Sequence, residues 1–432
     1  NSDPASSPAS QTAPNSASVP APVEEPKLGD PQNTTITFWH ARSSGSNYDQ
    51  LTAAIEEFNK TNPYDITVQE DFQGSNAETS AATMAAVAGG NAPTMVTLTV
   101  SYVTEFVTNG ALADMSAYAR QDKDFKMENY LDALLEFSYY NDQLVSFPYC
   151  RSTAVMYYNK DMFSKAGYDE APTTMEELEE ACKKIMSQNS GVDGFCFNND
   201  DWYVGNYLVQ LGSNEVDADN SGMSCLTDGT MLKVLSSWRQ WIDDGWCIPP
   251  TVTQATTNMR EAFYQGKLAC FFESSGGMAN ILRLSREGNI NVGVAYLPHF
   301  QEGVAAAPAG GTNIGVLDSA TDNEKAAAWE FIKFLASDEQ SVNNAVMTGY
   351  LPTTRSAATT SQMTDYWKEQ PEYKVAYNQL SEIGHDFPFS THLAEVKTAI
   401  QNAVGTLIQD QSCTPEEALE SIQKEASLID WE

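Results

Sequence analysis

Residues 147–161 read FPYCRSTAVMYYNKD, and this stretch decides the fold. Two strand-like runs meet there at a polar step of small residues that contains Ser152 and Thr153. A second marker, TGYLPT, covers residues 348–353, about two hundred positions further along the chain. Because the two markers occur together, we set aside the alternative that the YYNKD segment is only an ordinary strand end followed by a turn.

Length and charge limit the classes of function. The chain has 432 residues, and single hydrophobic cores stop growing at roughly 250 to 300 residues, so at least two lobes are expected. Its 24 Lys and Arg residues face 58 Asp and Glu residues, which gives a formal net charge of −34. Such a surface repels polyanions, so the sequence predicts no nucleic-acid partner.

Cysteine and histidine spacing indicates no metal site and no cofactor. The seven cysteines are scattered without a Cys-x-x-Cys pair, and none of the four histidines lies at a metal-ligand spacing. Cys182 and Cys270 occur in apolar patterns, where we expect small buried side chains. No apolar run approaches the eighteen or so residues of a membrane span.

Residues 1–33 predict a disordered tether. The stretch is rich in Ser, Ala and Pro and has too little apolar area to order itself. Such linkers follow the lipid-modified Cys of exported Gram-positive lipoproteins. We therefore expect a protein on the extracellular face of the membrane, anchored through an N-terminal Cys that has been removed here. A plain disordered tail on an intracellular protein is the alternative.

The next hundred residues predict an α/β lobe. Residues 34–39 alternate between apolar and polar side chains, which predicts a strand. Residues 48–62 place Leu51, Ile55 and Phe58 on one face of a predicted helix. A second and a third strand are expected at 66–72 and 95–100. This βαβαβ rhythm implies a parallel sheet. Ligands bind at the carboxyl ends of such strands, so the loops at 40–46, 73–77 and 100–102 are candidate cleft loops.

The rest of the chain predicts a second α/β lobe. A capping-box pattern from Thr174 to Glu177 begins a helix. We place hinge crossovers at 149–152, 273–275 and 315–317, with residues 292–297 in the first lobe and the helix at 322–336 in the second. The predicted domains are lobe 1 over 34–148 plus 276–315, and lobe 2 over 149–275 plus 316–432.

These motifs together resemble the extracellular solute-binding proteins of ABC importers, family 1, in the branch that includes the glycerol-3-phosphate-binding and carbohydrate-binding proteins. The resemblance runs from about residue 36 to 419. It is carried by FWH at 38–40, GNAP at 90–93, the 147–161 stretch, SSG at 274–276, GG at 310–311 and GYLP at 349–352. It implies a two-lobed periplasmic-binding-protein fold of type II, in which each lobe is a sheet flanked by helices and three hinge crossovers join the lobes.

The resemblance also implies site residues. The family's crossover Ser, the Ser after its lobe-two strand, the second of its paired glycines and its turn Tyr correspond to Ser152, Ser274, Gly311 and Tyr350. Other positions that the resemblance or their location brings to the cleft are Asn76, Ser101, Arg151, Trp202 and Lys397, with Trp39, His40 and Asp201 as further candidates. A family Tyr falls at Asn76 and a family acidic residue falls at Val100, beside Ser101. Both differences weaken the match to a glycerol-phosphate pocket.

For several of these residues a structural role is the alternative. Trp202 stacks on a sugar ring or covers a surface loop, and Arg151 holds an anionic ligand or pairs within lobe 2. Lys397 would pair with a phosphate. Trp39 and His40 are at least as well explained as structural residues.

The sequence therefore predicts a monomeric receptor that delivers a small molecule to the permease subunits of an ABC importer. A sugar or oligosaccharide is the expected ligand, and glycerol-3-phosphate or a glycerophosphodiester is the alternative. No catalytic motif is recognisable, so we expect no enzyme activity. A glycan-degrading enzyme would need a carboxylate pair in the cleft, and an adhesion module would need an exposed apolar patch.

Overall fold

The computed structural model describes residues 25–43 and 45–431. Within these residues the strands, in chain order, are β1 Thr35–His40, β2 Thr67–Phe72, β3 Met95–Thr99, β4 Tyr139–Tyr140, β5 Gln143–Leu144, β6 Phe147–Asn159, β7 Asp193–Cys196, β8 Leu268–Ser274, β9 Val292–Ala295, β10 Ala307–Val316 and β11 Gly384–His385. The helices are α1 Ser46–Thr61, α2 Asn76–Gly89, α3 Val100–Thr108, α4 Ser116–Gln121, α5 Lys160–Lys165, α6 Met175–Gln188, α7 Asp201–Gln210, α8 Thr230–Asp243, α9 Ala255–Tyr264, α10 Met278–Glu287, α11 Asp322–Ala336, α12 Asp338–Thr348, α13 Arg355–Ala358, α14 Ser361–Glu369, α15 Pro371–Ile383, α16 Leu393–Gln409 and α17 Pro415–Ala426.

The first half of the molecule is built on parallel pairing of β1 with β2 and β3. Alternation along β1 buries Ile36 and Phe38 completely in the core of this half. Helix α1 contributes Leu51 and Ile55 to the same core. The predicted strand and helix rhythm of this segment is confirmed.

Two long strands connect the halves. In the sheet order β2-β1-β3-β10-β6-β8-β7, the two central strands are β10 and β6, and both are antiparallel to the neighbours that they join. Residues 147–153 of β6 pair with β10, whereas residues 154–159 pair with β8 on one side and β9 on the other. Strand β6 therefore passes from one half to the other between Thr153 and Ala154, directly after the predicted crossover at 149–152.

The core of the second half is aromatic. Phe197 stacks on Trp238 with ring centroids 4.1 Å apart, and Phe195 packs edge-on against Phe272 at 4.5 Å. Helix α6 covers this core and begins with the predicted capping box between Thr174 and Glu177. Among the described residues, no helix is both long enough and apolar enough to cross a lipid bilayer.

Two predicted lobe assignments are wrong. Strand β9 pairs with β6 in the second half, because a four-residue apolar strand carries no information about its partner. Helix α11 packs on the first half instead of the second, where Phe331 contacts Phe38 and Phe58 at centroid distances of 6.0 and 5.0 Å.

The crossovers are also placed differently. Strand β10 changes register between Thr312 and Asn313, a few residues before the predicted 315–317. The segment 273–275 does not return to the first half, because α10 follows it and packs with β8. Residues 349–351 make the third passage instead, between α12, which packs on α1, and α15, which packs on β6. Leu351 is fixed there by its backbone N–H, which donates to the carbonyl of Arg151 at 2.9 Å.

The predicted tether ends earlier than expected. Residues 1–24 lie outside the described residues. Residues 25–33 lie against the first half: the carboxylate of Glu25 pairs with Arg120 at 2.9 Å, and the backbone N–H of Asp30 donates to Asn323 at 2.9 Å. The Ser/Ala/Pro composition that predicted a tether stops at Pro26, and the shorter polar segment after it uses its backbone groups for packing.

Candidate ligand-binding site

A cavity of about 370 Å³ lies where the two halves of the sheet meet. We call it the central cavity. It gathers nine of the residues singled out from the sequence: Asn76, Ser101, Ser152, Asp201, Trp202, Ser274, Gly311, Tyr350 and Lys397.

Strand ends supply the floor of the central cavity. Thr99 ends β3, Ser274 ends β8, and Ser152 lies near the middle of β6, just before that strand changes partners. This follows the general rule that ligands of α/β sheets bind beyond the carboxyl ends of the strands. The hydroxyl groups at these positions can both donate and accept hydrogen bonds.

Gly311 lets the backbone form this floor. Its φ is +88°, and a Cβ at this position would lie 1.9 Å from the carbonyl oxygen of Cys150. No other residue type fits without moving β6. The neighbouring Gly310 has a different role, because a Cβ there would lie 2.5 Å from Cζ2 of Trp202. The paired glycines therefore allow the indole to lie directly on the strand.

Trp202 is held in one orientation at the start of α7. Its indole Nε1–H donates to the carbonyl oxygen of Ala309 at 3.0 Å, and its backbone N–H donates to the capping carboxylate of Asp200 at 3.1 Å. The side chain is only partly buried. It therefore presents an aromatic surface to the central cavity.

Tyr350 closes the cavity next to Ser274. A Cβ on Gly276 would lie 2.8 Å from the Tyr350 ring, so only a glycine at position 276 lets the ring pack against the backbone there. The guanidinium of Arg42 lies 5.8 Å from the centroid of the same ring. Burial raises the pKa of Tyr350 to about 12, so its phenol remains neutral and able to donate a hydrogen bond at physiological pH.

The charged wall of the cavity combines α7 with α16. Lys397 Nζ lies 2.9 Å from Asp201 Oδ1 and 3.6 Å from Asp200 Oδ1. Burial raises the pKa of Asp201 to about 7, although Lys397 opposes this shift. Burial also disfavours the charged form of Lys397, but Asp201 and Asp200 outweigh it and raise the pKa of the lysine above its usual value.

Glu215 is a cavity residue that the sequence reasoning missed. It is 3% exposed, it lines the central cavity, and its Oε1 has no hydrogen-bond partner among the described residues. Burial raises the pKa of its carboxyl well above the usual range, and Asp201 adds to the shift. It lies in the loop that follows α7, where no periodicity or motif marks a buried carboxyl group.

Arg151 does not line the cavity, which corrects the prediction that it faces a ligand. Side chains alternate along a strand, so Ser152 and Arg151 point to opposite faces of β6. Arg151 is fully buried and its Nη2 lies 3.1 Å from Asp386 Oδ2. It also donates to the carbonyl oxygen of Gly310 at 2.8 Å and to Oδ1 of Asn313 at 2.8 Å.

His40 and Trp39 also lie outside the central cavity. His40 is fully buried, with Nε2 2.7 Å from Glu70 Oε2, and its Nδ1 accepts the backbone N–H of Arg42 at 3.1 Å. Trp39 packs against the hydrophobic cluster that contains Val96 and Leu98 of β3. Both side chains have the structural roles that the sequence left open as alternatives.

A larger groove, of about 820 Å³, lies elsewhere on the first half, between α1, α11 and the loop around Tyr130. It contains none of the candidate ligand-binding residues that the sequence analysis singled out. Its lining includes Lys126 and Lys333, and Lys333 is paired with Asp122 at 2.8 Å and with Glu330 at 3.0 Å. The strand ends and the paired glycines converge on the central cavity and not on this groove.

Known proteins resemble this chain over most of its length. A family model described as bacterial extracellular solute-binding protein matches residues 53–374. The sn-glycerol-3-phosphate-binding periplasmic protein UgpB of Agrobacterium fabrum is 26% identical over 362 residues, which cover 80% of this chain and 80% of that protein. UgpB of Brucella melitensis is 24% identical over 351 residues, or 78% of this chain and 79% of that protein.

Solved structures share the fold. UgpB from Mycobacterium tuberculosis, in complex with glycerophosphocholine, superposes with a TM-score of 0.81 at 22% identity, covering 91% of this chain and 98% of that chain. The GacH receptor of Streptomyces glaucescens, solved unliganded and with acarbose, gives a TM-score of 0.79 at 21% identity over 94% of this chain and 100% of that chain. The predicted α/β, two-lobed binding-protein fold is confirmed.

Proposed function

This chain belongs to the bacterial extracellular solute-binding protein family, and from that premise we propose that it is the receptor that delivers a sugar or oligosaccharide to an ABC importer. The observation that carries the choice of ligand is the partly exposed indole of Trp202, which is fixed on the bare backbone of Gly310 inside the central cavity. Sugars have flat apolar C–H faces, and a rigid aromatic surface binds such faces.

The polar lining suits a ligand with many hydroxyl groups. Carboxylates on α7 accept hydrogen bonds, and the hydroxyls of Ser152, Ser274 and Tyr350 both donate and accept. A polyhydroxylated ring can therefore satisfy its edge while its face stacks on Trp202.

The charge of the cavity disfavours a phosphate ester. Proteins usually bind phosphate with Arg or Lys side chains that are free to pair with it. Among the described residues that line the central cavity, the one cation is Lys397, and it is already paired with Asp201. Arg151, which could have held a phosphate, is buried on the other face of β6 and pairs with Asp386.

Glycerol-3-phosphate or a glycerophosphodiester is the second candidate. Relatives of this chain are named for glycerol-3-phosphate, and Lys397 does reach the cavity. For such a ligand, Lys397 would have to exchange Asp201 for the phosphate. This exchange makes the two ligand classes distinguishable by experiment.

We further propose that the protein acts as a monomer on the extracellular face of the membrane, held there by an N-terminal lipid anchor, and that it transfers its ligand unchanged to the permease subunits. The named relatives are binding proteins. Because carboxyl groups line the cavity, hydrolysis of the ligand has to be measured together with its binding.

A combined assay tests this function. Thermal shift measurements with mono- and oligosaccharides, glycerol-3-phosphate and glycerophosphocholine identify stabilising compounds, because a ligand at 100 times its Kd stabilises a protein by about 2.7 kcal/mol. Calorimetry then gives affinities, and chromatography of the ligand after incubation detects any product. We expect saccharides to bind without turnover. If a phosphate compound binds tightly and no saccharide binds, the ligand is a phosphate compound and not a sugar. If product is released, the protein is an enzyme and not a receptor.

A further inference from the structure

The central cavity contains more carboxyl groups than cationic groups. Its lining residues include three carboxyl groups, those of Asp200, Asp201 and Glu215, and one ammonium group, that of Lys397, among the residues that the structure describes. Asp200 and Asp201 lie at the start of α7 and face Lys397 on α16. A ligand that enters this space therefore meets more carboxyl groups than cations.

Glu215 is the member of this set without a partner. The side chain is 3% exposed and its Oε1 receives no hydrogen bond. Gly205 on α7 packs against it so closely that a Cβ there would lie 2.9 Å from Oε1. A buried carboxyl oxygen without a donor is costly to maintain in a folded protein, and such groups usually have a ligand or functional explanation.

We propose that the natural ligand is a sugar that carries a basic nitrogen with N–H groups, an amino sugar or an oligosaccharide that contains one, and that Glu215 and Asp201 receive this nitrogen. The inference rests on the proposed function and makes its ligand class narrower. A neutral hydroxyl group would supply a donor but no positive charge to pair with these carboxyl groups when they ionise. A quaternary ammonium group would supply charge but no N–H donor for Glu215. A protonated amine supplies both.

The proposal implies that binding of the amino sugar releases protons from the cavity. Burial raises the pKa of Glu215 well above its usual range and the pKa of Asp201 to about 7, so both carboxyl groups hold protons in the unliganded cavity at pH values where exposed carboxyl groups have lost theirs. Among charged groups, Asp200 adds to both shifts and Lys397 on α16 opposes them. A bound ammonium group replaces these protons, which then pass to the buffer.

The test uses matched pairs of sugars that differ only in the group at one carbon. Glucosamine is compared with glucose, galactosamine with galactose, and the glucosamine trisaccharide with its N-acetylated form. Calorimetry at pH 7 in two buffers with different heats of ionisation measures affinity and proton exchange together. We expect at least one amino compound to bind about tenfold or more tightly than its neutral partner, with net proton release.

Variants assign the effect to the carboxyl group. Glu215→Gln keeps the size of the side chain but cannot ionise, so the preference for the amino compound should fall by about tenfold. The control Glu420→Gln makes the same change on the exposed surface of α17 and should keep the wild-type preference. Proton release by the wild-type protein needs no variant, so the proposal stays testable if Glu215→Gln does not fold.

The outcomes separate this inference from the proposed function. If neutral sugars bind as tightly as their amino partners, or if binding releases no protons, the inference is overturned and the sugar receptor stands. If a phosphate compound alone binds, or if no sugar of either kind binds, both are overturned.

Discussion

Lys397 on α16 and Asp201 on α7 form an ion pair, with Nζ 2.9 Å from Oδ1, inside the central cavity. The pair joins two helices of the second half. Among the described residues that line the cavity, Lys397 is the one cation. Because Lys397 is engaged by Asp201, the cavity offers no unpaired lysine to the phosphate group of a phosphate ester. The pair also makes the ionisation of Asp201 a property that can be followed by experiment.

The stability of the unliganded protein should depend on pH through Asp201. Its pKa is raised from an ordinary value of 3.8 to about 7 in the folded state, chiefly by burial. Between these two values the folded chain holds a proton that the unfolded chain has lost, so this group's contribution to stability decreases as pH rises from about 4 to 7. Thermal unfolding of wild type and Asp201→Asn across this range should show a smaller decrease in the variant.

The control for this measurement is Asp142→Asn, an exposed turn position with a φ of 63° that Asn also adopts. Its pH profile should follow that of wild type. If Asp201→Asn also follows wild type, Asp201 does not titrate as described.

Arg151 should matter for stability and little for binding. Arg151→Gln leaves the carboxylate of Asp386, whose side chain is 3% exposed, without its cation, and breaking a buried ion pair costs about 3 to 5 kcal/mol. Denaturant unfolding measures the loss, and calorimetry on the folded fraction should give an almost unchanged Kd. Arg283→Gln removes an exposed pair with Glu287 and should change stability by no more than about 1 kcal/mol. A variant of Arg151 that is stable but does not bind would return this residue to the site.

The hydroxyl groups of Ser152 and Tyr350 should contribute to affinity. Ser152→Ala and Tyr350→Phe each remove one hydrogen-bonding group from the cavity wall and leave a ligand group unpaired, so each should weaken binding by about 1 to 3 kcal/mol. Calorimetry with the best saccharide from the thermal shift screen measures this loss. Ser187→Ala, on the exposed face of α6, is the matched control. Wild-type affinity in both cavity variants would remove these hydroxyls from the site.

Much of the fold could be predicted because periodicity and turn chemistry are local. Strand β1, helix α1 and the capping box at Thr174 depend on residues within a few positions of one another. The partner of β9 and the packing side of α11 depend on contacts far along the chain, and their own residues do not encode them.

The site residues also differ in whether local sequence or long-range packing determines their position. Ser152, Gly311 and Tyr350 lie in motifs that can be recognised in the sequence, and they line the central cavity. The sequence predicts Arg151 in the cleft only because it is next to Ser152, although neighbours on a strand face opposite sides. Glu215 has no motif at all. Only the packing of its loop against α7 brings its carboxyl group into the cavity.

Ligand binding should make the molecule more compact. Three passages of the chain, at Thr153 to Ala154, at Thr312 to Asn313 and at Gly349 to Leu351, join the two halves, and small backbone rotations at such points allow two rigid bodies to close on a solute. Small-angle scattering should show a smaller radius of gyration with saturating ligand than without it. An unchanged radius with a ligand that calorimetry shows to be bound would contradict a hinge.

The central claim is that the central cavity binds a sugar against Trp202. A crystal structure of the protein with the most stabilising saccharide tests it most directly. We predict electron density for a sugar ring stacked on the indole of Trp202, with polar groups of the ligand within hydrogen-bond distance of Asp201 or Glu215 and of the hydroxyls of Ser152 or Tyr350. Density for the bound saccharide in the groove beside Lys333, or in the central cavity without contact to Trp202, would contradict the claim.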